Sequence, residues 1–456
     1  MRIKLPNLRT NLEGPRKRLY SEPKPSPDET SFQVDNVSDR YYNSPYYLAH
    51  KDQVQRIPRA RAGVPCHLDL KDFIPQEVWR AIIATGKITF HAVGDTGAAK
   101  VNRSQSAATA IAHEAGVADA MSADVQSGGL NGPAFFFNLG DVVYNFGEAQ
   151  YFYDQFYEPF RDYDRPIFAI PGNHDGMVFG ATSATPQVPT LEAFLRNFCA
   201  PRPGASRDAG GLVRTVMTQP AVYFTLDAPF VSIIGLYSNV LDSGAGVISS
   251  QNGHFPVLKG DVQLKFLTAE LKRLKAAHKA GDRAIIVAVH HPPASVDAKH
   301  GGSTGLEKDI DGCCNAAGVW PDAVLSGHAH LYQRFTRVVG ARHIPYVVSG
   351  SGGFAATRPQ ASVPKAPYTI GELTLEVDPI VEFGYLTITS DARKLSITFK
   401  TAVAGAVQIR DSVTVDLKQG KVVSGTHAPG GRGSQPRARR GTDRSTIAEG
   451  RSRESQ

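Results

Sequence analysis

Short apolar runs alternate with longer amphipathic or Ala-rich stretches through the middle of the chain. KITFHAV, which begins at Lys87, and AFFFNL, which begins at Ala134, have the length and apolar content of buried β-strands. The stretch between them, from Ala98 to about Ala123, is rich in Ala and predicts a helix. The order strand, helix, strand is that of a βαβ unit, from which layered α/β folds are built.

The same alternation extends to about residue 350. Helices are predicted for YFYDQFYEPFR, LEAFLRNF and VQLKFLTAELKRLKAAHKA, and strands for PIFAIP, VSIIGL, AIIVAV, AVLSG and YVVSGSGG. From about Ile370 the pattern changes to alternating strands without helices between them, in GYLTITS, KLSITFK and DSVTVDL. We expect these to be antiparallel strands that complete the same sheets.

The two ends of the chain differ from this middle. Residues 1–64 are rich in Pro, Arg, Ser and Asp and predict an extended or partly disordered arm. Residues 420–456 have almost no apolar content and predict a disordered basic tail, which leaves residues 65–419 as one folded domain. The net charge of +7 divides into +5 for residues 1–65, +5 for residues 420–456 and −3 for the remainder. A nucleic-acid groove carries its positive charge on the folded surface, so this distribution argues against a nucleic-acid substrate.

The composition, with 41% hydrophobic, 20% charged and 9% aromatic residues, is that of an ordinary globular protein. Four cysteines are too few for a disulfide framework in 456 residues. The segment from Met1 to Arg18 lacks the apolar core of a secretory signal, and no run of 18 apolar residues predicts a transmembrane helix. We therefore expect a cytoplasmic protein without a membrane partner, with export by another route left open. The oligomeric state stays open as well.

Five predicted strands end in short polar segments that contain metal-ligand residue types. In open α/β sheets, ligands bind beyond the carboxyl ends of the strands, which makes these segments the first candidates for chemistry. A single Gly-Asp or His-His-Pro at a strand end is most simply a turn. Independent turns, however, give no reason for Asp, Asp, Asn, His and His-x-His to follow strand ends in one chain. The five segments are Gly94-Asp95-Thr96-Gly97, Gly140-Asp141-Val142-Val143-Tyr144, Gly172-Asn173-His174-Asp175, His290-His291-Pro292-Pro293 and Gly327-His328-Ala329-His330.

This mixture of residue types suits a centre of two metal ions. Two metals about 3.5 to 4 Å apart clamp a phosphoryl group, and a bridging carboxylate offsets their mutual repulsion. Imidazole and carboxylate ligands favour Fe, Zn and Mn, whereas a His-rich set without Cys argues against Cu(I), iron–sulfur chemistry, and Ca or Mg alone. His328 and His330 alternate along an extended segment, which allows the pair to reach both metals.

The five segments resemble, in this order, those of the calcineurin-like metallophosphoesterases, and within them those of the purple acid phosphatases. The purple acid phosphatase pattern is Asp-x-Gly, Gly-Asp-x-x-Tyr, Gly-Asn-His-Asp/Glu, Val-x-x-His and Gly-His-x-His. Here the sequence reads DTG, GDVVY, GNHD, VAVH and GHAH over about residues 87–354. The resemblance implies an α/β fold, a layered α/β/β/α sandwich of two mixed β-sheets flanked by helices, with residues 65–419 as the metallophosphoesterase catalytic domain. It also implies an acid-phosphatase-type phosphomonoesterase that attacks a small phosphorylated substrate with a metal-bound hydroxide.

One position distinguishes the purple acid phosphatase branch. Most members of the superfamily have Asp-x-His in the first segment, with that His as a metal ligand, whereas here the position is Gly97. The resemblance supplies a replacement ligand at Tyr144, whose phenolate is a hard oxygen donor suited to Fe(III). The alternative interpretation of Tyr144 is a packing aromatic.

Carried over residue by residue, the resemblance implies two metal sites that share one carboxylate. His290 closes the Val-x-x-His segment and is the implied ligand, whereas His291 is expected to support the ligands or to face the substrate. The reverse assignment of this pair stays open. The implied ligands are Asp95, Asp141, Tyr144 and His330 for Fe(III), and Asp141, Asn173, His290 and His328 for a divalent Fe, Zn or Mn ion.

Catalytic roles are also expected for residues outside this ligand set. His174 is the candidate to contact the phosphate or to protonate the leaving oxygen, with Asp175 orienting its ring. His300, ten residues beyond His290, is a candidate for the auxiliary acid role that some relatives give to a second His in that loop.

Three other functions fit parts of the sequence. A phosphodiesterase or nucleotide hydrolase would use the metals identically and differ only in its pocket walls. A metal-free scaffold is a nonenzymatic alternative, against which stands the presence of every expected ligand. A nuclease guided by the basic ends would lose activity when those ends are removed. The sequence does not identify the substrate.

Overall fold

Two β-sheets packed face to face, with helices on their outer faces, form the described part of the chain. The structure is a computed structural model, and it describes residues 57–97, 107–144, 147, 149–176, 191–212, 214–238, 246–249 and 261–427. The expected amino-terminal arm lies outside the described residues up to residue 56, and the expected tail lies outside them from residue 428 onward.

Sixteen strands are formed by these residues, and we number them along the chain. The first eight are β1 (His67–Asp69), β2 (Lys87–Val93), β3 (Phe136–Asn138), β4 (Ile167–Ala169), β5 (Phe224–Ala228), β6 (Val231–Leu236), β7 (Ala284–Val289) and β8 (Ala323–Ser326). The remaining eight are β9 (Tyr332–Val339), β10 (Arg342–Ser349), β11 (Tyr368–Ile370), β12 (Leu373–Leu375), β13 (Gly384–Asp391), β14 (Lys394–Val403), β15 (Ala406–Asp416) and β16 (Lys421–His427).

Five α-helices connect or cover these strands in the same part of the chain. They are α1 (Gln76–Thr85), α2 (Ala107–Gly128), α3 (Glu192–Phe198), α4 (Val262–Ala280) and α5 (Thr304–Ala317). None of the helices in the described ranges combines the length and the apolar character needed to cross a membrane.

Both sheets have a parallel centre extended by antiparallel strands. The seven-stranded sheet has the order β16-β15-β14-β13-β2-β3-β4, in which β2, β3 and β4 are parallel and β13 pairs antiparallel with β2. The nine-stranded sheet has the order β1-β5-β6-β7-β8-β10-β9-β12-β11, and it is parallel from β6 through β7 and β8 to β10. The expectation that the late strands are antiparallel and complete a sheet is confirmed.

The layers follow from the period-two alternation of apolar side chains. In β7, Ile286 and Ala288 point into the core between the two sheets, and Ile285 and Val287 point outward to a second cluster. That outer cluster also contains buried side chains of α4 and α5. On the far side of the molecule, α2 packs against the seven-stranded sheet in a third cluster. These layers confirm the predicted α/β/β/α sandwich.

Several sequence-based predictions of elements are corrected by the structure. YFYDQFYEPFR forms a 3-10 turn (Ala149–Tyr151) and a π-helical turn (Tyr153–Tyr157) rather than an α-helix. The helices α1 and α5 were not predicted. The boundary at residue 419 is wrong, because β16 pairs with β15 and extends the sheet to His427.

Candidate metal centre

Strands from both sheets end at one place, and the segments that follow them carry the expected side chains. Asp95, Asp141 and Asn173 follow β2, β3 and β4 of the seven-stranded sheet. His290 and His328 follow β7 and β8 of the nine-stranded sheet. Because these parallel strands all present their carboxyl ends to the same edge, residues far apart in sequence meet there.

A first group of buried side chains surrounds Asp95. The phenol oxygen of Tyr144 lies 2.9 Å from Oδ1 of Asp95 and 3.1 Å from Oδ2 of Asp141. Nε2 of His330 lies 3.3 Å from the same Oδ1 of Asp95. A phenol has one proton, so it cannot donate to both carboxylates at once. A cation bound among these oxygens would stabilise the second contact, in which the phenol has no proton to donate.

A second group lies beside the first and shares Asp141 with it. Nε2 of His290 lies 3.1 Å from Oδ1 of Asn173 and 3.3 Å from Oδ2 of Asp141. Nδ1 of His328 lies 3.0 Å from Oδ1 of Asn173. One ligand atom each of Asp141, His290 and His328 all lie within 4.8 Å of one another, the spacing of residues that hold a metal ion.

The hydrogen bonding of His290 directs Nε2, a ring nitrogen that could bind a cation, towards the other side chains of this second group. Its Nδ1 lies 2.9 Å from the carbonyl oxygen of Leu139 and must carry a proton to bond there. In the neutral ring the lone pair is then on Nε2, which faces the acceptor oxygens of Asp141 and Asn173. Burial alone would lower the pKa of His290, but the charge of Asp141 outweighs it and raises the pKa to about 9. The charge of Asp141, which favours a proton on Nε2 of His290, would also favour a metal ion bound between these two side chains.

Oδ2 of Asp141 belongs to both groups, because it contacts the phenol of Tyr144 on one side and His290 on the other. Its other oxygen accepts a hydrogen bond of 2.8 Å from the backbone N–H of His174. A carboxylate in this position has the geometry of a bridge between two metals. The donor set of carboxylate, imidazole, phenol and amide oxygen therefore fits a pair of transition-metal ions.

The backbone at these strand ends is held in uncommon conformations. Asp95, Asp141 and His328 have positive φ angles of 58°, 54° and 68°. Such angles are disfavoured for residues with a Cβ and persist where the surrounding structure enforces them, which is common at functional sites. The side chain of Asp141 lies close to the backbone of Gly172. A Cβ at position 172 would collide with that side chain, so the Gly leaves room for it.

Gly97 and Tyr144 occupy a common volume. A Cβ at position 97 would lie 2.6 Å from Cδ2 of Tyr144 and 2.6 Å from Oε1 of Gln155. The Tyr144 ring therefore lies in the space that a side chain at position 97 would need. The sequence-based link between the Gly at 97 and the Tyr at 144 has a direct steric basis.

The calcineurin-like phosphoesterase family model matches residues 88–332, which is more than half of the chain. The chain belongs to the calcineurin-like phosphoesterase family. The family resemblance predicted from the five segments is thereby confirmed. No curated protein matches the sequence.

Solved structures of several phosphatases are similar to this chain. The purple acid phosphatase PPD1 from yellow lupin (Lupinus luteus) seeds is 16% identical with a TM-score of 0.49, over 72% of this chain and 54% of that one. PhoD is 15% identical with a TM-score of 0.47, over 82% and 74%. A dimetal phosphatase from Danio rerio is 13% identical with a TM-score of 0.41, over 71% and 98%. The chain thus spans about half the length of the lupin enzyme.

Two of the expected catalytic residues lie beside Asp141. The His174 ring is partly exposed and its centroid lies 4.4 Å from that of Tyr144. The buried carboxylate of Asp175 accepts hydrogen bonds from the backbone N–H groups of Gly172 at 2.8 Å and Val142 at 3.1 Å. Burial and the charge of Asp141 raise the pKa of Asp175 to about 7. Asp175 thus fixes the loop that holds Asp141, while its expected effect on the ring of His174 stays a prediction.

The other two expected catalytic residues lie against the ligand histidines. The ring of His300 is 4.6 Å from that of His328 and 5.0 Å from that of His330. The ring of His291 is 4.2 Å from that of His328. Burial, together with the charge on His290, lowers the pKa of His291 to about 3. Of the pair His290 and His291, the structure brings His290 into the group with Asp141.

Three residues that contact this site were not predicted from the sequence. Phe354 stacks on Tyr144 with ring centroids 3.6 Å apart, and Gln155 bonds both backbone groups of Tyr144, at 2.9 and 3.0 Å. The hydroxyl of Ser238 lies 2.8 Å from Nδ1 of His291. Phe354 and Ser238 come shortly after β10 and β6, so the strand-end criterion could have found them if it had not been restricted to metal-ligand residue types.

Proposed function

We propose that this phosphoesterase is an acid-phosphatase-type phosphomonoesterase whose centre holds Fe(III) and a divalent Fe, Zn or Mn ion. In this proposal Asp95, Asp141, Tyr144 and His330 hold Fe(III), and Asp141, Asn173, His290 and His328 hold the divalent ion. The observation that carries it is the position of the Tyr144 phenol, between two carboxylates and in the volume left free at Gly97.

The donor atoms support the assignment of the two sites. Three of the four side chains in the first group offer oxygen, and a phenolate is a hard donor that favours a trivalent ion. The second group contains two imidazoles and an amide oxygen, a softer set suited to a divalent ion. Bound metals would supply Lewis-acid polarisation of the phosphoryl group and activation of water.

Proton transfer to the leaving oxygen needs a group that can exchange its proton with solvent. Among the proposed ligands and catalytic residues, only His174 and His300 are partly exposed, while the rest are buried. The backbone of His174 is bonded to Asp141, which keeps its ring at the edge of the centre. We assign His174 the role of contacting the phosphate or donating the proton, with His300 as an auxiliary acid.

The test combines absorption spectroscopy with metal analysis of the purified protein. We expect a visible band from tyrosinate-to-iron charge transfer that disappears in Tyr144→Phe. Tyr163→Phe is the matched control, because Tyr163 is also buried and hydrogen bonded, 3.1 Å from His91, away from the centre. A colourless, fully active zinc or manganese protein would contradict the Fe(III) assignment and leave the phosphoesterase intact.

The substrate class is tested on the same sample with a panel of phosphomonoesters and phosphodiesters from acid to mildly alkaline pH. We expect faster hydrolysis of monoesters, with an optimum below neutral pH. A preference for diesters or for nucleotides would replace the phosphomonoesterase proposal by the phosphodiesterase alternative, which uses the same ligands.

A further inference from the structure

Ser238 and His291 form a buried pair beside the proposed ligands His290 and His328. Both side chains are fully buried. The hydroxyl oxygen of Ser238 lies 2.8 Å from Nδ1 of His291 and accepts a 3.1 Å hydrogen bond from the backbone N–H of the same residue. Gly246 closes this side of the ring, since a Cβ there would collide with Cγ and Nδ1 of His291. The Nδ1 edge of the imidazole is thus completely enclosed.

The hydrogen bonds of Ser238 select one tautomer of His291. A hydroxyl has one proton to donate, and its oxygen already accepts from the backbone of His291. If the hydroxyl donates to Nδ1, both its donor and its acceptor functions are used. If Nδ1 carried the proton instead, the buried hydroxyl proton would need another acceptor, at a cost of about 1–3 kcal/mol if none were found. The satisfied arrangement leaves the proton of His291 on Nε2.

Among the residues that the structure describes, the buried Nε2 of His291 has no hydrogen-bond partner. The ring centroids of His291 and His328 lie only 4.2 Å apart with a tilt of 46°, so these rings pack against each other rather than bonding edge to edge. The ring of His290 lies 5.3 Å away. Nε2 is therefore an N–H donor without an acceptor among the described residues, on a ring that packs beside two proposed ligands of the divalent ion. A buried donor without an acceptor is costly unless a ligand supplies the acceptor.

We propose that Ser238 fixes His291 as a hydrogen-bond donor, through Nε2, to an oxygen of the phosphoryl group held at the metal centre. The inference rests on the proposed function and extends it by naming Ser238 as a positioning residue and Nε2 of His291 as a contact to the substrate. A phosphate group suits this contact, because it can offer one oxygen to Nε2 and others to the metals.

The tautomer can be measured without any metal. In the metal-free full chain labelled with ¹⁵N-histidine, the two-bond ¹H–¹⁵N correlations of His291 distinguish Nε2–H from Nδ1–H, and His291→Gln identifies its signals. We expect a single Nε2–H tautomer in the wild-type protein and a mixture in Ser238→Ala. Ser232→Ala is the matched control, because Ser232 lies in β6 near Ser238 but bonds Asp227 and Arg283.

The contact to phosphate is measured by calorimetric titration of the metal-loaded full chain with orthophosphate. His291→Leu should weaken binding at least about tenfold, as expected for the loss of a hydrogen bond to a charged group. Ser238→Ala should weaken it about two- to tenfold, because only part of the His291 population then has the donor on Nε2. His291→Gln, whose amide offers an N–H at a similar distance, should recover most of the affinity, and Ser232→Ala should bind like the wild type.

Each other outcome would overturn the inference. A wild-type Nδ1–H tautomer, or equal phosphate affinity in His291→Leu and the wild type, would remove Nε2 from the site. A lower metal content in Ser238→Ala or His291→Leu would show that the pair supports the ligands instead. A wild-type protein that neither binds phosphate nor hydrolyses phosphoesters would instead reject the proposed function itself. Phosphate binding and hydrolysis by the wild-type protein are therefore measured before any variant.

Discussion

Tyr144 is held in place by its neighbours independently of any metal. Its backbone N–H and C=O are both bonded by the buried amide of Gln155, at 2.9 and 3.0 Å. Phe354 covers one face of its ring, nearly parallel at an angle of 4°. The absent side chain at Gly97 leaves room for the ring. The phenol oxygen is therefore preorganised at the carboxylates of Asp95 and Asp141, which lowers the entropic cost of binding a metal.

Gly97→Ala tests this preorganisation. The new Cβ would lie 2.6 Å from the Tyr144 ring, so the ring must move and withdraw its oxygen from the two carboxylates. We expect loss of most metal from the first site and a fall in phosphoesterase activity of at least about tenfold. Metal analysis and turnover of the same preparation check the prediction.

The control for this change is Gly312→Ala. Gly312 lies in α5, and a Cβ there would have no heavy atom within 4 Å. The control should retain metal and activity. Full metal occupancy in Gly97→Ala would contradict the steric link between positions 97 and 144.

At the level of elements, Asp124 attaches α2 to the seven-stranded sheet. Its Oδ2 accepts hydrogen bonds from Lys400 at 2.6 Å and from Tyr385 at 2.9 Å, and it lies 3.3 Å from Nε2 of His91. These partners belong to β14, β13 and β2. Because one carboxylate oxygen joins a helix to three neighbouring strands, we expect it to contribute strongly to packing of the outer layer.

Asp124→Asn should lower the free energy of unfolding by about 2 kcal/mol, because Lys400 loses its partner charge. Burial would raise the pKa of Asp124, but hydrogen bonds from His91, Lys400 and Tyr385 hold it well below its usual range. A depressed pKa stabilises the fold fully above the unfolded value of about 4, and this stabilisation is lost progressively as pH falls from that value towards the lower folded pKa. Denaturant unfolding at pH 7 and at pH 3 should show a smaller difference between the two proteins at pH 3. An equal difference at both pH values would contradict this role of the charge.

The strand β16 provides a second prediction at this scale. It pairs with β15, and Val422 packs against the core between the sheets. A chain ending at His427 should unfold at a higher temperature than a chain ending at Gln419, because the second leaves the edge of β15 unpaired. Thermal unfolding and light scattering of the two chains measure the difference. Identical midpoints and scattering would show that β16 is not needed to complete the sheet.

Two of the elements that were not predicted, β16 and α5, have weak side-chain patterns. KVVSGTH in β16 is mostly polar and contains a Gly, because an edge strand is held largely by backbone pairing. In α5, Gly305, Gly312 and two adjacent Cys residues obscure the helical pattern, although Ser303 caps the helix by accepting from the N–H of Leu306. Central strands such as β7 were predicted because both of their faces are buried and every residue is apolar.

For the whole molecule, the structure brings together the residues that the sequence singled out, whereas several helices were predicted wrongly or not at all. Each expected ligand comes within six residues of the end of a strand, and a parallel sheet brings such positions together at one edge. The contacts of Phe354 and Ser238 could not be predicted in this way. They depend on which strands are neighbours, namely β10 beside β8 and β6 beside β7, and the order of strands is a property of the complete sheet.

The proposed ligands come from both sheets, and this has a consequence for stability. Asp95, Asp141 and Asn173 belong to the seven-stranded sheet, and the three proposed histidine ligands follow strands of the nine-stranded sheet. Bound metals would thus join the two sheets at their common edge. A ligand that binds only the folded state stabilises it in proportion to the logarithm of its concentration over its Kd. Removing the metals with a chelator should therefore lower the midpoint of thermal unfolding by at least a few degrees, and restoring them should reverse the change.

Asp141→Asn tests whether this stabilisation passes through the shared carboxylate. With one negative charge removed from both groups, the variant should bind little metal, and its unfolding midpoint should hardly respond to the chelator. Asp124→Asn is the matched control, since it loses stability elsewhere in the fold and should keep the full response. If Asp141→Asn responded like the wild type, its carboxylate would not be the bridge between the two sites. If the wild-type midpoint stayed constant while metal analysis showed complete removal, the packed core between the sheets would hold their common edge together without help from the metals.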